Sequence, residues 1–159
     1  MRTRLAAVLV VAAVAAVVAR QGSAGPPATV AALGDSITRA FNTDWIPFRD
    51  GPSYSWATGS HVPSPARRLG ARSYNDAKDG ARMRDLPAQA ARAVDQQATD
   101  VMILMGANDL CHRGVTDMTT VARFHSDFEA TMTTLAATSA RIEVLSVPDL
   151  YRVWQLEKG

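Results

Sequence analysis

The sequence predicts an α/β domain built on a parallel sheet, and three observations carry that expectation. Apolar runs of strand length recur at Thr29 to Leu33 and at Val101 to Met105, the second apolar at every position, as a strand covered by helices on both faces requires. Other segments place apolar residues at steps of three and four, the mark of an amphipathic helix. The two patterns alternate as strand, helix, strand, helix, strand, helix, strand, which suits parallel strands joined by right-handed crossovers.

The chain has 159 residues, 47% of them hydrophobic and 20% charged, enough for one domain with a single core. Its start reads differently. Arg2 and Arg4 precede an unbroken apolar run, Leu5 to Ala19, followed by Arg20-Gln21-Gly22-Ser23-Ala24 and its small residues. That order predicts a signal peptide over residues 1–24, cleaved after Ala24, a domain over 25–159 and a secreted product. The run is shorter than the ~20 residues of a membrane span, so no stable span is expected after cleavage; an uncleaved anchor is the alternative.

Losing the leader removes Arg2, Arg4 and Arg20 from the 17 basic residues and leaves the 15 acidic ones untouched, so the remainder is near neutral. Arg67-Arg68 lacks interleaved aromatics and reads as a solvated helix face, so no nucleic-acid partner is expected. Cys111, the one cysteine, has no partner for an intramolecular bridge; it reads as a buried apolar residue, a free thiol or an intermolecular partner, the first being commonest. The three histidines, His61, His112 and His125, are scattered and without metal-ligand spacing, so no metal site is expected.

In chain order, Gly25-Pro26-Pro27 is a linker and Thr29 to Leu33 the first strand, which Gly34 lets turn sharply. A helical pattern follows, with Asp35 or Ser36 as N-cap. Phe41 to Pro63, rich in Pro, Gly, Ser and aromatics, has no clean period and reads as a long ordered loop near the strand ends. Its aromatics, Trp45, Phe48, Tyr54 and Trp56, either cap the core or serve function. Ser64 caps a helix that opens at Pro65 and closes near Gly70. Ser73 to Asn75 is a short strand leading to the turn Asp76 to Ala81. Asp85 and Pro87 start a helix with Leu86, Ala90, Ala91, Val94 and Ala98 inward, and Asp100 introduces the third strand, which ends in Gly106-Ala107-Asn108-Asp109. From Thr119, the residues Val121, Phe124, Phe128, Met132 and Leu135 form one helical stripe. Arg141 to Val147 is the fourth strand, stopped by Pro148-Asp149, and Leu150 to Leu156 begins a further helix or loop. Neither a G-x-G-x-x-G after a strand nor a P-loop is present, which weighs against nucleotide binding.

Ser36 is the chemical candidate in the first corner. At the carboxyl end of a central strand its hydroxyl is exposed and neighbouring N–H groups favour developing negative charge. Gly34-Asp35-Ser36 taken alone reads rather as a polar turn between strand and helix. Two further strand-end blocks change the weight: Asn75-Asp76-Ala77-Lys78-Asp79-Gly80, and Gly106-Ala107-Asn108-Asp109. With these three blocks in this order the sequence resembles the SGNH, or GDSL, hydrolase family. Ser55-Trp56-Ala57-Thr58-Gly59, Met118-Thr119 and Ser146 to Tyr151 are similar to its exported actinobacterial branch.

The resemblance implies a three-layer flavodoxin-like SGNH hydrolase fold and an esterase or lipase that forms an acyl-enzyme on Ser36. It implies an oxyanion hole from the backbone N–H groups of Ser36 and Gly80 and the side-chain amide of Asn108. These residue types suit the task, because a fixed donor can be worth ~3 kcal/mol of barrier and glycine lets backbone approach the substrate. Gly80 and Asn108 also suit plain turns. Asp35 and Asp109 read as structural, bonding amides within their own turns. The family takes its base from an Asp-x-x-His block, absent after the fourth strand, so the expected chain is an amino-terminal portion lacking the last strand and helix, with an open sheet edge. Asp109-Leu110-Cys111-His112 matches that string inside the third block, making His112 a substitute-base candidate, with His61 weaker and His125 a surface residue. The expected function is secreted serine ester hydrolysis on a small-molecule or lipid ester with no cofactor. The alternative is an inactive fragment or an exported binding protein that keeps the scaffold.

Overall fold

β1 (Thr29–Gly34), β2 (Arg72–Asn75), β3 (Asp100–Leu104) and β4 (Arg141–Val144) form one parallel sheet in the spatial order β2-β1-β3-β4. The computed structural model describes residues 28–147 and 149–158; the expected signal segment 1–24, the linker Gly25 to Pro27, and Pro148 lie outside the described residues. In register, Ala31 lies between Tyr74 of β2 and Val101 of β3, and Met102 sits beside Glu143 of β4. From β1 the chain moves outward to β2 and then crosses back to β3 on the other side. This reversal makes the carboxyl ends of β1 and β3 the switch point, the place where sheets of this kind take ligands.

Alternate residues of the central strands feed two apolar clusters on opposite faces. Ala31, Leu33, Val101 and Ile103 pack with Leu86, Ala90, Ala93 and Leu135. Val30, Ala32 and Met102 pack on the other face with Ala57, Ala66 and Trp56. The helices are α1 (Ser36–Arg39), α2 (Pro65–Leu69), α3 (Leu86–Asp95), α4 (Ala107–Leu110), α5 (Val121–Ala136) and α6 (Leu150–Glu157). The result is three layers, with α3 and α5 below the sheet and α2 with the long loop above it.

The expected elements are present, with local corrections. α1 is a single turn rather than an extended helix, closed by Ala40 in the left-handed region. The inward face of α3 is rotated from the expected stripe: Ala93 and Gln89 are buried and Ala91 is exposed. Val121 is 86% exposed, because it is the first residue of α5 and the packed stripe begins a turn later at Phe124. β4 stops at Val144 instead of Val147, although Leu145 still donates to the Ile103 carbonyl at 2.9 Å. Among the described residues nothing pairs with its outer edge, and Val144 is exposed. Cys111 is exposed and unbridged rather than buried. No described helix is long and apolar enough to cross a membrane.

Candidate functional site

Gly34 ends β1 with φ +155°, and a Cβ there would collide with the Leu104 carbonyl and the Thr38 hydroxyl. Only glycine fits this corner. Asp35 follows, buried, and its Oδ1 accepts the Ile37 N–H at 2.9 Å, so Asp35 and not Ser36 is the N-cap. Burial holds the Asp35 carboxyl above the usual carboxylate range; the Ile37 and Asp35 amides oppose that rise and the nearby Asp109 charge adds to it. Ser36 is therefore the first helical residue, half-buried, with an N–H that has no intrahelical acceptor. Because α1 has only four residues, individual N–H groups rather than a helix dipole are what this corner offers an anion.

The second block folds against the first through one backbone bond and one bond from the side-chain amide of Asn75. Lys78 N–H donates to the Gly34 carbonyl at 3.1 Å, and the Asn75 amide donates to the Thr38 carbonyl at 2.9 Å. Gly80 is exposed at φ +69°, with open space where a Cβ would point, and its N–H has no acceptor among the described residues. Asp79 beside it is held above the usual carboxylate range by partial desolvation and by Asp50.

The third block closes on the second. The Asn108 side-chain nitrogen donates to the Ala81 carbonyl at 3.1 Å, leaving its other hydrogen unpaired among the described residues. Asp109 is fully buried and accepts the Met83 N–H at 2.9 Å, a partner outside its own turn, so it clamps two blocks together rather than bracing one. Hydrogen bonds thus chain Gly34 to Lys78 and Ala81 to Asn108, bringing the three turns together at adjoining strand ends. An open apolar cleft of about 230 Å³ lies beside the Asn108 turn, walled by Leu110, Val121, Phe124 and Val147.

Sequence reasoning missed Gln89. Its Oε1 accepts the Gly34 N–H at 2.7 Å and its Nε2 donates to the Gly34 carbonyl at 2.9 Å, so one side chain from α3 grips both polar groups of Gly34. The available signal was a glutamine three residues after Leu86, on a stripe of otherwise apolar residues. Arg39 was also passed over. It pairs with Asp50 at 2.7 Å and donates to the Asn75 carbonyl at 3.3 Å, tying the Ser36 turn to the long loop and to β2.

The histidines are otherwise engaged. His112 Nε2 is 3.0 Å from the Asn108 carbonyl, which fixes that nitrogen as the donor, and Nδ1 faces Arg82 at 3.5 Å. His61 packs against Tyr54 with ring centroids 5.1 Å apart and the rings tilted by 55°, and His125 faces Glu129 on the exposed side of α5. Among the described residues no group of three or more His, Cys, Asp or Glu side chains is arranged to hold a metal.

The long loop does not present its aromatics in one way. Trp56 is half-buried against the core, whereas Trp45 and Phe48 are 88% and 84% exposed. These two project into water rather than cap the core among the described residues.

Residues 30–154 match the model of the GDSL-like Lipase/Acylhydrolase family. Among solved structures the chain is similar to the psychrotrophic esterase EstA from Pseudoalteromonas sp., with a TM-score of 0.53 and 19% identity over 77% of this chain. That likeness shows the fold; the chain spans 62% of the length of that esterase. No curated protein matches the sequence. The family model takes in all three strand-end blocks and most of the chain, and the protein belongs to the GDSL-like lipase/acylhydrolase family.

Proposed function

We propose that the protein is a serine ester hydrolase acting on a lipid or small-molecule ester, exported under the direction of its first 24 residues. Ser36 Oγ attacks the ester carbonyl, its proton passes to a base, the alcohol leaves, and water later releases the acyl group from Ser36. The oxyanion is received by the N–H groups of Ser36 and Gly80 and by the Asn108 amide. The observation that supports this reading is the hydrogen-bond chain from Gly34 through Lys78 and Ala81 to Asn108, which ties together the three turns that carry Ser36, Gly80 and Asn108. The apolar cleft beside Asn108 suits the acyl chain better than the outward-facing Trp45 and Phe48 do.

Both His112 nitrogens have other partners, so His112 is not the base in this reading. That engagement favours a second reading, a non-catalytic protein that keeps the scaffold. The Pseudoalteromonas esterase is described as inhibited by monoethylphosphonate, which makes a phosphonate reagent the natural probe. A fluorophosphonate is expected to label the chain, and Ser36→Ala to abolish labelling. Folded protein that takes no label supports the non-catalytic reading.

A further inference from the structure

His112 is half-buried while Cys111 and Arg113 on either side of it are exposed, and both of its ring nitrogens are used. Nε2 donates to the Asn108 carbonyl at 3.0 Å, and Nδ1 faces the Arg82 guanidinium at 3.5 Å, the longest link of the set. Arginine can only donate, so Nδ1 is the acceptor there. The Asn108 side-chain nitrogen donates to the Ala81 carbonyl at 3.1 Å, and Ala81 shares a peptide bond with Arg82. A closed ring results, from Arg82 to His112 to Asn108 to Ala81 and back. Arg82 is also fixed at its base, because its N–H donates to Asp85 Oδ2 at 2.9 Å.

The ring matters for what it holds. α4 is a single turn, too short to stand by itself, and no side chain caps its start. The Met83 N–H and the Thr119 N–H tie it at Asp109, and neither bond reaches Asn108. Asn108 is gripped instead at two places, its main-chain carbonyl by His112 and its side chain by Ala81. A planar amide nitrogen carries two hydrogens at a fixed angle, so the one bonded to Ala81 sets where the other points. A plain carbonyl cap needs only one ring nitrogen. Arg82 on the second nitrogen decides which nitrogen carries the hydrogen and steadies the imidazole that holds Asn108.

We propose that His112, itself held by Arg82, is a positioning residue that sets the free hydrogen of the Asn108 amide for the oxyanion of the ester reaction. It acts through Asn108 and moves no proton in the reaction. This deepens the ester-hydrolase reading and rests on it for its purpose. The hold on the amide does not need Ser36 to react.

The test uses the full chain, isotope-labelled at the nitrogen of its three asparagines, Asn42, Asn75 and Asn108, with Asn108→Asp assigning the signal in nuclear magnetic resonance. At about pH 8, with neutral imidazole, the Asn108 amide is expected to show one slowly and one quickly exchanging hydrogen. His112→Leu removes donor and acceptor together and is expected to speed exchange of the slow hydrogen about tenfold. His112→Gln, whose amide both donates and accepts, is expected to restore it, and Arg82→Met to give a smaller rise. The Asn75 amide, bonded to Thr38 and Thr58, reports folding and is expected to stay unchanged. In fluorophosphonate labelling the maximal rate is expected to fall about tenfold in His112→Leu, at an unchanged half-saturating concentration, and to return in His112→Gln. Unchanged exchange at Asn108 in His112→Leu overturns the proposal; should that variant not fold, unchanged exchange in Arg82→Met does so. Labelling lost in both His112→Leu and His112→Gln with the Asn108 amide unmoved also overturns it, because His112 would then be moving a proton. So does full labelling with a loosened amide, since that amide would not serve the oxyanion. A natural chain that takes no label but shows the expected exchange pattern leaves the hold on the amide standing and defeats the hydrolase reading alone.

Discussion

Gln89 saturates the Gly34 N–H and shares the Gly34 carbonyl with Lys78, in a place where water does not reach. Gln89→Leu removes the side-chain acceptor of that buried N–H and is expected to cost about 1–3 kcal/mol, read as a lower urea midpoint with an unchanged slope. Asp35 gives a pH signature of the opposite kind from a salt-bridged carboxylate. Its folded-state pKa is raised by burial, so the native state holds the proton more tightly than the unfolded chain, and Asp35 costs stability once pH rises through that raised value. Asn keeps an acceptor for the Ile37 N–H without the charge. Asp35→Asn is therefore expected to melt higher than the natural protein at neutral pH. The gap should close as pH falls toward the ordinary aspartate range and the natural carboxyl becomes protonated; melts across pH check this. Ser36, Gly80 and Asn108 were legible as types at strand ends. Gln89 was not, because its role depends on a peptide 55 residues away.

Helix boundaries show how local chemistry and packing divide the work. Ser64 was readable as an N-cap before Pro65, and it does accept the Arg67 N–H at 3.2 Å. What no local pattern showed is that its hydroxyl also donates to the Gly59 carbonyl at 2.7 Å, joining α2 to the end of the long loop. Ser64→Ala is expected to cost about 1–2 kcal/mol in a thermal or urea melt, for the lost cap and the buried carbonyl left behind. In α5 the periodic stripe gave Phe124, Phe128 and Leu135 correctly. The buried Asp127 and Thr131 on the same helix escaped it, because Asp127 is paired with Arg123 and Thr131 bonds back to the Asp127 carbonyl.

At the scale of the molecule, the sheet is asymmetric in its protection. β1 and β3 are buried on both faces, while β4 sits at an edge with Val144 and Leu145 exposed. An open edge with apolar residues invites pairing with other chains. Val144→Lys is expected to lower concentration-dependent light scattering while shifting stability by no more than about 0.5 kcal/mol, since the side chain faces solvent already. The placing of the three turns belongs to this scale too. The chain puts β2 and β3 on opposite sides of β1, so the connections that leave the paired carboxyl ends of β1 and β3 part in opposite directions.

By itself the sequence determined the alternation of strands and helices, the parallel sheet and the three strand-end turns, because periodicity, apolar runs and glycine placement are local properties of the chain. It also placed Ser36, Gly80 and Asn108 in those turns. Tertiary structure alone decided that the second block bonds to Gly34 and the third to Ala81 and Met83, that Gln89 reaches back across the core, that both His112 nitrogens are occupied, and that Trp45 and Phe48 face water. Each of these joins residues far apart in the chain, and such contacts are set by how whole elements pack, which no window of neighbouring residues contains.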